Sequence, residues 1–125
     1  TREIYHDELT ATQRKQLQDC GFVDIPSDYS DEPYRITRAL IEDGARHCLL
    51  DKPLDLPVPI RLLQGMQDRD VPWQKAYRIK KALADESRAE VFLIESGDHR
   101  LSRPEDLALL EEQVKTVSQI ISACT

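Results

Sequence analysis

Cysteine is scarce and poorly placed for cross-linking. Cys20, Cys48 and Cys124 are odd in number, far apart and without a C-x-x-C pair, so neither a disulfide framework nor a zinc site is expected and a reducing compartment fits. Long apolar runs are also missing. No stretch reaches the length needed to span a bilayer, and the opening TREIYHDELT has neither the basic start nor the apolar core of a secretory signal. Basic clusters are absent as well. A formal net charge of -6 argues against nucleic acid or an anionic membrane as partner, because an acidic surface repels both. Methionine occurs once, at Met66, so the chain is read as a processed product or a piece of something longer.

What is present suits one modest globular domain: 125 residues, 40% hydrophobic and 32% charged. Residues 1–52 read as a small helix-rich segment. Thr10 with Gln13 resembles a capping box, Leu17 follows on the helix and Gly21 suits its end, which predicts a helix from about Ala11 to Cys20. Phe22 to Ile25 alternates like a strand, and Pro26 to Pro33 is rich in turn residues. Ile36, Leu40, Ile41 and Cys48 then approximate one face of a second helix, bent near Gly44. Asp51 to Pro59, with Pro53 and Pro57 between, reads as a linker.

Residues 53–125 alternate strand and helix. Pro59 to Gln64 is a β-type run ended by Gly65, and Ala76, Ile79 and Leu83 mark a helix of about Trp73 to Asp85. Ala89 to Ile94 is a second strand. Ser102-Arg-Pro-Glu105 has the form of a capping box with proline in the first turn, followed by Leu107, Leu110, Val114, Val117 and Ile121 at helical spacing. Strands joined by a helical crossover are most simply parallel and right-handed, which predicts that the loops after both strands share one sheet edge.

Those loops carry the chemistry. The first is Gly65-Met-Gln-Asp68-Arg-Asp70-Val-Pro72-Trp, the second Ser96-Gly-Asp98-His99-Arg100. A carboxylate beside imidazole Nδ1–H fixes the tautomer and leaves Nε2 to take and return a proton. Asp70, just before Val71-Pro72-Trp73, is expected to cap the following helix, and Asp98, adjacent to the histidine, to point away from it. Blander readings stand beside these. A lone loop histidine is usually solvated, loop arginines such as Arg100 and Arg103 usually pair with neighbours such as Asp98 and Glu105, and Trp73 at a helix start is usually packing. His6, His47 and Cys48 have nothing in the sequence that raises them above structural roles.

The run IRLLQGMQDRDVPW, a helix, and then VFLIESGDHRLSRPEDLALL resemble the last two strands of α/β-hydrolases, where the acid lies in G-x-x-D-x-x-V-P and the histidine in G-D-H. The resemblance is nearest the branch of small serine esterases and acyl thioesterases, and extends upstream through PSDYSDEPY and ITRALIEDGARHCLL. It implies an α/β chain forming the C-terminal portion of that fold, with residues 1–52 as a cap-like segment between the sixth and seventh strands. It makes Asp68 the triad acid and His99 the triad base. It implies no cofactor or metal, a small acyl ester or thioester as substrate, and a cytoplasmic place, or the mitochondrial matrix in a eukaryote. The departure is large: no serine sits in the G-x-S-x-G elbow that carries the nucleophile in such enzymes. The expected partner is therefore the N-terminal half carrying that serine, with a homo-oligomer second, and the chain alone is expected to be inactive. Two alternatives stay open: a non-catalytic interaction module on a hydrolase frame, and a hydrolase of another class such as a peptidase or dehalogenase.

Overall fold

A computed structural model describes residues 2–124, and the chain divides into two compact units between Leu49 and Leu50. The first unit opens with a π-helical turn, Ile4–Glu8, and continues into α1, Ala11–Cys20. Thr10 caps α1 as its sequence suggests: its hydroxyl accepts the Gln13 amide and the Gln13 side chain takes the Thr10 amide in return. Gly21 ends the helix at φ 82°, a left-handed conformation that costs glycine little. β1, Phe22–Ile25, then pairs antiparallel with β2, Tyr34–Thr37, and α2 follows as Arg38–Arg46.

Two expectations fail in this unit. Ile36 belongs to a strand rather than the second helix, because a β-branched residue opposite Val23 completes the hairpin's buried face. The helix starts only when Thr37 caps it by accepting the Leu40 amide, and it closes at Arg46, which leaves Cys48 beyond its end. Leu9, Leu17, Val23 and Ile36 form the core, with Ile4, Tyr5, Ile25 and Ile41 packed against it. Outside it, Arg35 stacks on Phe22 at 4.1 Å and grips Asp24 through two 2.8 Å bonds.

The second unit is a strand–helix–strand–helix succession. β3, Ile60–Gly65, and β4, Ala89–Ile94, pair in parallel from Ile60 opposite Ala89 to Gly65 opposite Ile94. The crossover is α3, Gln74–Ala82, and α4, Pro104–Ala123, packs on β3. Part of the presumed linker is pinned to the end of α3 by an isolated parallel bridge between Leu54 and Leu83, in which the Leu54 amide donates to Ala82 O (2.7 Å) and the Ala84 amide to Leu54 O (2.9 Å). The last helix is capped one residue later than Ser102 would place it. Arg103 is the cap, and the carboxylate of Asp106 accepts both its amide at 3.3 Å and its guanidinium.

The apolar stripe of α4 is not the face that meets the strands. Asp106 and Gln113 are the buried positions of this helix, whereas Leu107, Leu110, Val114 and Ile121 are 51%, 48%, 57% and 47% exposed. Such an open patch drives association in water. Sedimentation of the chain at micromolar concentration is expected to show concentration-dependent self-association. A Leu110→Glu/Val114→Lys variant, with an i,i+4 charge pair in place of the stripe's centre, is expected to weaken it while far-UV dichroism stays unchanged. A wild-type chain that remains monomeric across the range contradicts this.

Candidate active site at the carboxyl ends of the parallel strands

Because β3 and β4 run the same way, both outgoing loops leave the same end of the sheet. Backbone bonds then stitch them together: the Met66 amide donates to the Ile94 carbonyl and the Gln67 amide to the Gly97 carbonyl, each at 2.9 Å. The approach is so close that a Cβ on Gly65 would fall onto the carbonyl oxygens of Gly97 and Asp98. Only glycine fits there.

Asp68 is the fixed element of the site. Its Oδ1 accepts the amides of Asp70 (2.8 Å) and Val71 (2.9 Å), while Oδ2 accepts the Gln64 side-chain amide (3.2 Å) and faces His99 Nδ1 at 3.0 Å. Its side chain is 6% exposed against 52% for His99, so a held carboxylate orients a solvent-accessible ring. With Nδ1 engaged, Nε2 is the nitrogen left for proton exchange.

The second loop is held independently. Asp98 turns away from the ring, its Oδ1 accepting the amides of Arg100 and Leu101 at 3.0 Å each. Arg103 donates to Ser96 Oγ at 2.7 Å and pairs with Asp106, whose side chain is 1% exposed, fastening the loop to the start of α4. Leu101 sits at φ 46°, a region that non-glycine residues enter only when their surroundings insist.

Asp70 does not cap α3. Trp73 occupies the cap position without any side-chain cap bond, because the turn closed on Asp68 swings Asp70 toward the second loop, with Oδ2 3.9 Å from His99 Nδ1. Gln64 is a member that sequence reasoning did not single out. Its only signal was a polar residue closing the run Ile60-Arg-Leu-Leu63, and in the structure it bonds Gly65 O, Asp68 and Val71 O at once. His6, His47 and Cys48 belong to the first unit, and Trp73 packs edge-on against Tyr77.

The electrostatics follow from these contacts. Burial pushes the Asp68 carboxyl up, but the Val71 amide, His99, the Asp70 amide and Gln64 together outweigh it and hold it below its ordinary 3.8. His99 is raised above its ordinary 6.5, first by its hydrogen bond to Asp68 and then by that residue's charge, against desolvation and with still smaller help from Asp70 and Asp98. Asp68, Asp70 and His99 also offer ligand atoms within 4.8 Å of one another, the geometry of a three-donor cation site among the described residues. Both oxygens of Asp68 are already engaged, however, and a cation would have to replace the Nδ1 proton.

Comparison with known proteins defines the class first. In fold, the chain superposes on a hydrolase from Agrobacterium vitis S4 with a TM-score of 0.79 and 35% identity, over 92% of this chain and 45% of that one. It also superposes on the mouse alpha/beta hydrolase domain-containing protein 10 with a TM-score of 0.79 and 31% identity, over 99% of this chain and 48% of the other. The chain is thus a homologue of the α/β-hydrolases, and it matches a C-terminal part of them. More narrowly, its curated homologues are mitochondrial palmitoyl-protein thioesterases named ABHD10. The mouse protein is 36% identical over 85% of this chain, and the bovine and human proteins are 33% and 32% identical over 92%. The chain spans only 35% to 37% of the length of these relatives. No family model matches it.

Two outcomes are expected from this geometry. The raised His99 contributes stability that is complete below 6.5 and lost as pH climbs through its folded value. The lowered Asp68 contributes stability that is complete above 3.8 and lost as pH falls through its folded value. The gap in urea midpoint between wild type and His99→Gln should therefore be widest between these limits and narrow on the alkaline side; a gap that grows above neutral pH contradicts the pair. Gly65→Ala forces the two loops apart. It is expected to cost about 1–3 kcal/mol in urea unfolding, and an unchanged midpoint would show that the loops yield freely.

Proposed function

We propose that this chain supplies the acid and the base of a serine-type acyl hydrolase, with the nucleophile on a partner segment equivalent to the N-terminal half of its relatives. The observation that carries this reading is the bond from His99 Nδ1 to Asp68, whose side chain is 6% exposed and held by four donors at the carboxyl edge of a parallel sheet. In the assembled site, His99 Nε2 removes the proton of the serine hydroxyl as its oxygen attacks the acyl carbon. Asp68 stabilises the imidazolium that results. Collapse of the tetrahedral adduct expels the thiol or alcohol, which takes the proton back from Nε2. Water then repeats the cycle on the acyl-enzyme and releases the acid.

Acyl thioesters are the substrate class favoured, because the curated homologues carry the name palmitoyl-protein thioesterase. Their names also support a mitochondrial location. No helix among the described residues is long and apolar enough to cross a membrane.

The purified chain is expected to leave short-chain p-nitrophenyl esters and acyl-thioester analogues intact. Mixed with the N-terminal half of the mouse relative, it should turn them over, and a serine-directed phosphonate should stop the reaction. His99→Gln in that mixture should lower kcat by several orders of magnitude, the usual effect of removing a triad base. Phosphonate-sensitive turnover by the chain alone, or full activity with His99→Gln, defeats the reading.

A further inference from the structure

Among the described residues, Leu101 alone combines a left-handed backbone, φ 46°, with a side chain that disfavours it. A turn by itself asks only for glycine or asparagine at such a position. Leucine is the wrong residue for the backbone and the right one for the apolar gap beneath the second loop. Its Cδ2 lies so near Gly97 that a Cβ there would meet it at 2.7 Å, with Ile94 Cγ2 beside it at 2.9 Å. We propose that Leu101 is a positioning residue for His99, a half-buried plug that seats Gly97 against the first loop and so sets the ring against Asp68. This role rests on the reading of Asp68 and His99 as an acid–base pair.

The contacts run in sequence from the plug to the acid. Leu101 packs on Gly97, the Gly97 carbonyl accepts the Gln67 amide at 2.9 Å, and Asp68 is the next residue after Gln67. On the second loop, His99 stands two positions after Gly97 and two before Leu101, so both of its anchors are set by the same packing. The Leu101 amide also donates to Asp98 Oδ1 at 3.0 Å, which closes the turn around the histidine. Further along, Arg103 is tied to Ser96 and to the buried Asp106, and the chain cannot relax Leu101 by drifting away from the sheet edge. A hydrogen bond weakens steeply with distance and angle, so a loop that settles differently over an emptied gap loses the 3.0 Å bond between Asp68 Oδ2 and His99 Nδ1 before it loses its fold. Strain held by surrounding contacts beside a functional group is the expected signature of such a role.

The test is the titration of His99 by NMR in the 125-residue chain, read beside the urea midpoint, with His6 and His47 as internal references whose titrations stay put. Leu101→Met keeps the plug at nearly constant volume, and His99 titrates as in wild type. Leu101→Gly and Leu101→Asn accept the left-handed backbone but lose the plug. In both, the His99 midpoint falls toward that of Asp68→Asn, although Asp68, Asp70 and Asp98, the charged groups that act on the ring, are untouched. Deuterium exchange of the Gln67 amide quickens roughly tenfold in the same two variants, as expected of a local opening. Strain is read from stability: Leu101→Gly withstands more urea than Leu101→Ala, the reverse of the order at an ordinary position, because only glycine adopts φ 46° freely. Should the glycine and asparagine variants fail to fold, Leu101→Met against Leu101→Ala decides by the same His99 midpoint and Gln67 exchange. A His99 midpoint unchanged by loss of the plug, while Asp68→Asn lowers it, overturns the inference and leaves the acid–base pair intact. Greater stability of Leu101→Ala than of Leu101→Gly also overturns it. A His99 midpoint indifferent to Asp68→Asn overturns both readings.

Discussion

Parallel pairing of β3 with β4 is the constraint on which the second unit depends. An antiparallel pair would send the two outgoing loops to opposite ends; the parallel register ends with Gly65 beside Ile94 and delivers both to one edge. Everything at the site follows from that arrangement. The Met66 and Gln67 amides find carbonyls across the gap, the Gly65 backbone can lie against Gly97, and a side chain 31 positions from its partner comes within a hydrogen bond of it. The crossover helix α3 enforces the choice, because a strand that leaves and returns through a packed helix re-enters the sheet in its original direction.

Within that frame the site is built from the acid outward. A carboxylate removed from water is costly unless donors replace the lost solvent, and four donors converge on Asp68. Two of them are amides of its own loop, so the turn that shapes the loop is the turn that keeps the acid charged. His99 has the opposite economy: an exposed ring on a loop fastened at Ser96 and at Asp98, free to meet whatever approaches its Nε2.

Much of this was legible in the residues. β1, β3, β4, α1 and the strand–helix–strand order follow from apolar periodicity and from Gly21, Thr10 and the proline punctuation, which act locally. The loops were legible as a pair because parallel topology dictates where they go. What escaped depended on tertiary geometry. Ile36 fits an apolar helical face as well as it fits a strand, and only its position opposite Val23 decides. Asp70 looked like a helix cap because aspartate is a good one, but the turn on Asp68 redirects it. Gln64 had no local signature, since nothing in a strand's sequence announces that its last side chain reaches a neighbouring loop. The α4 stripe was visible as helical spacing, yet its exposure is a property of what surrounds the helix.

The long separation between Asp68 and His99 also bears on the order of folding. Contacts between residues distant in sequence form only after the entropy of closing the intervening loop has been met, and a parallel pair must first wind and dock its crossover. The capped helices of both units can form early from local bonds, as can the antiparallel β1–β2 hairpin. The acid–histidine contact spans that crossover, so its loop-closure cost is shared with the pairing of β3 and β4 and is met by no single local element.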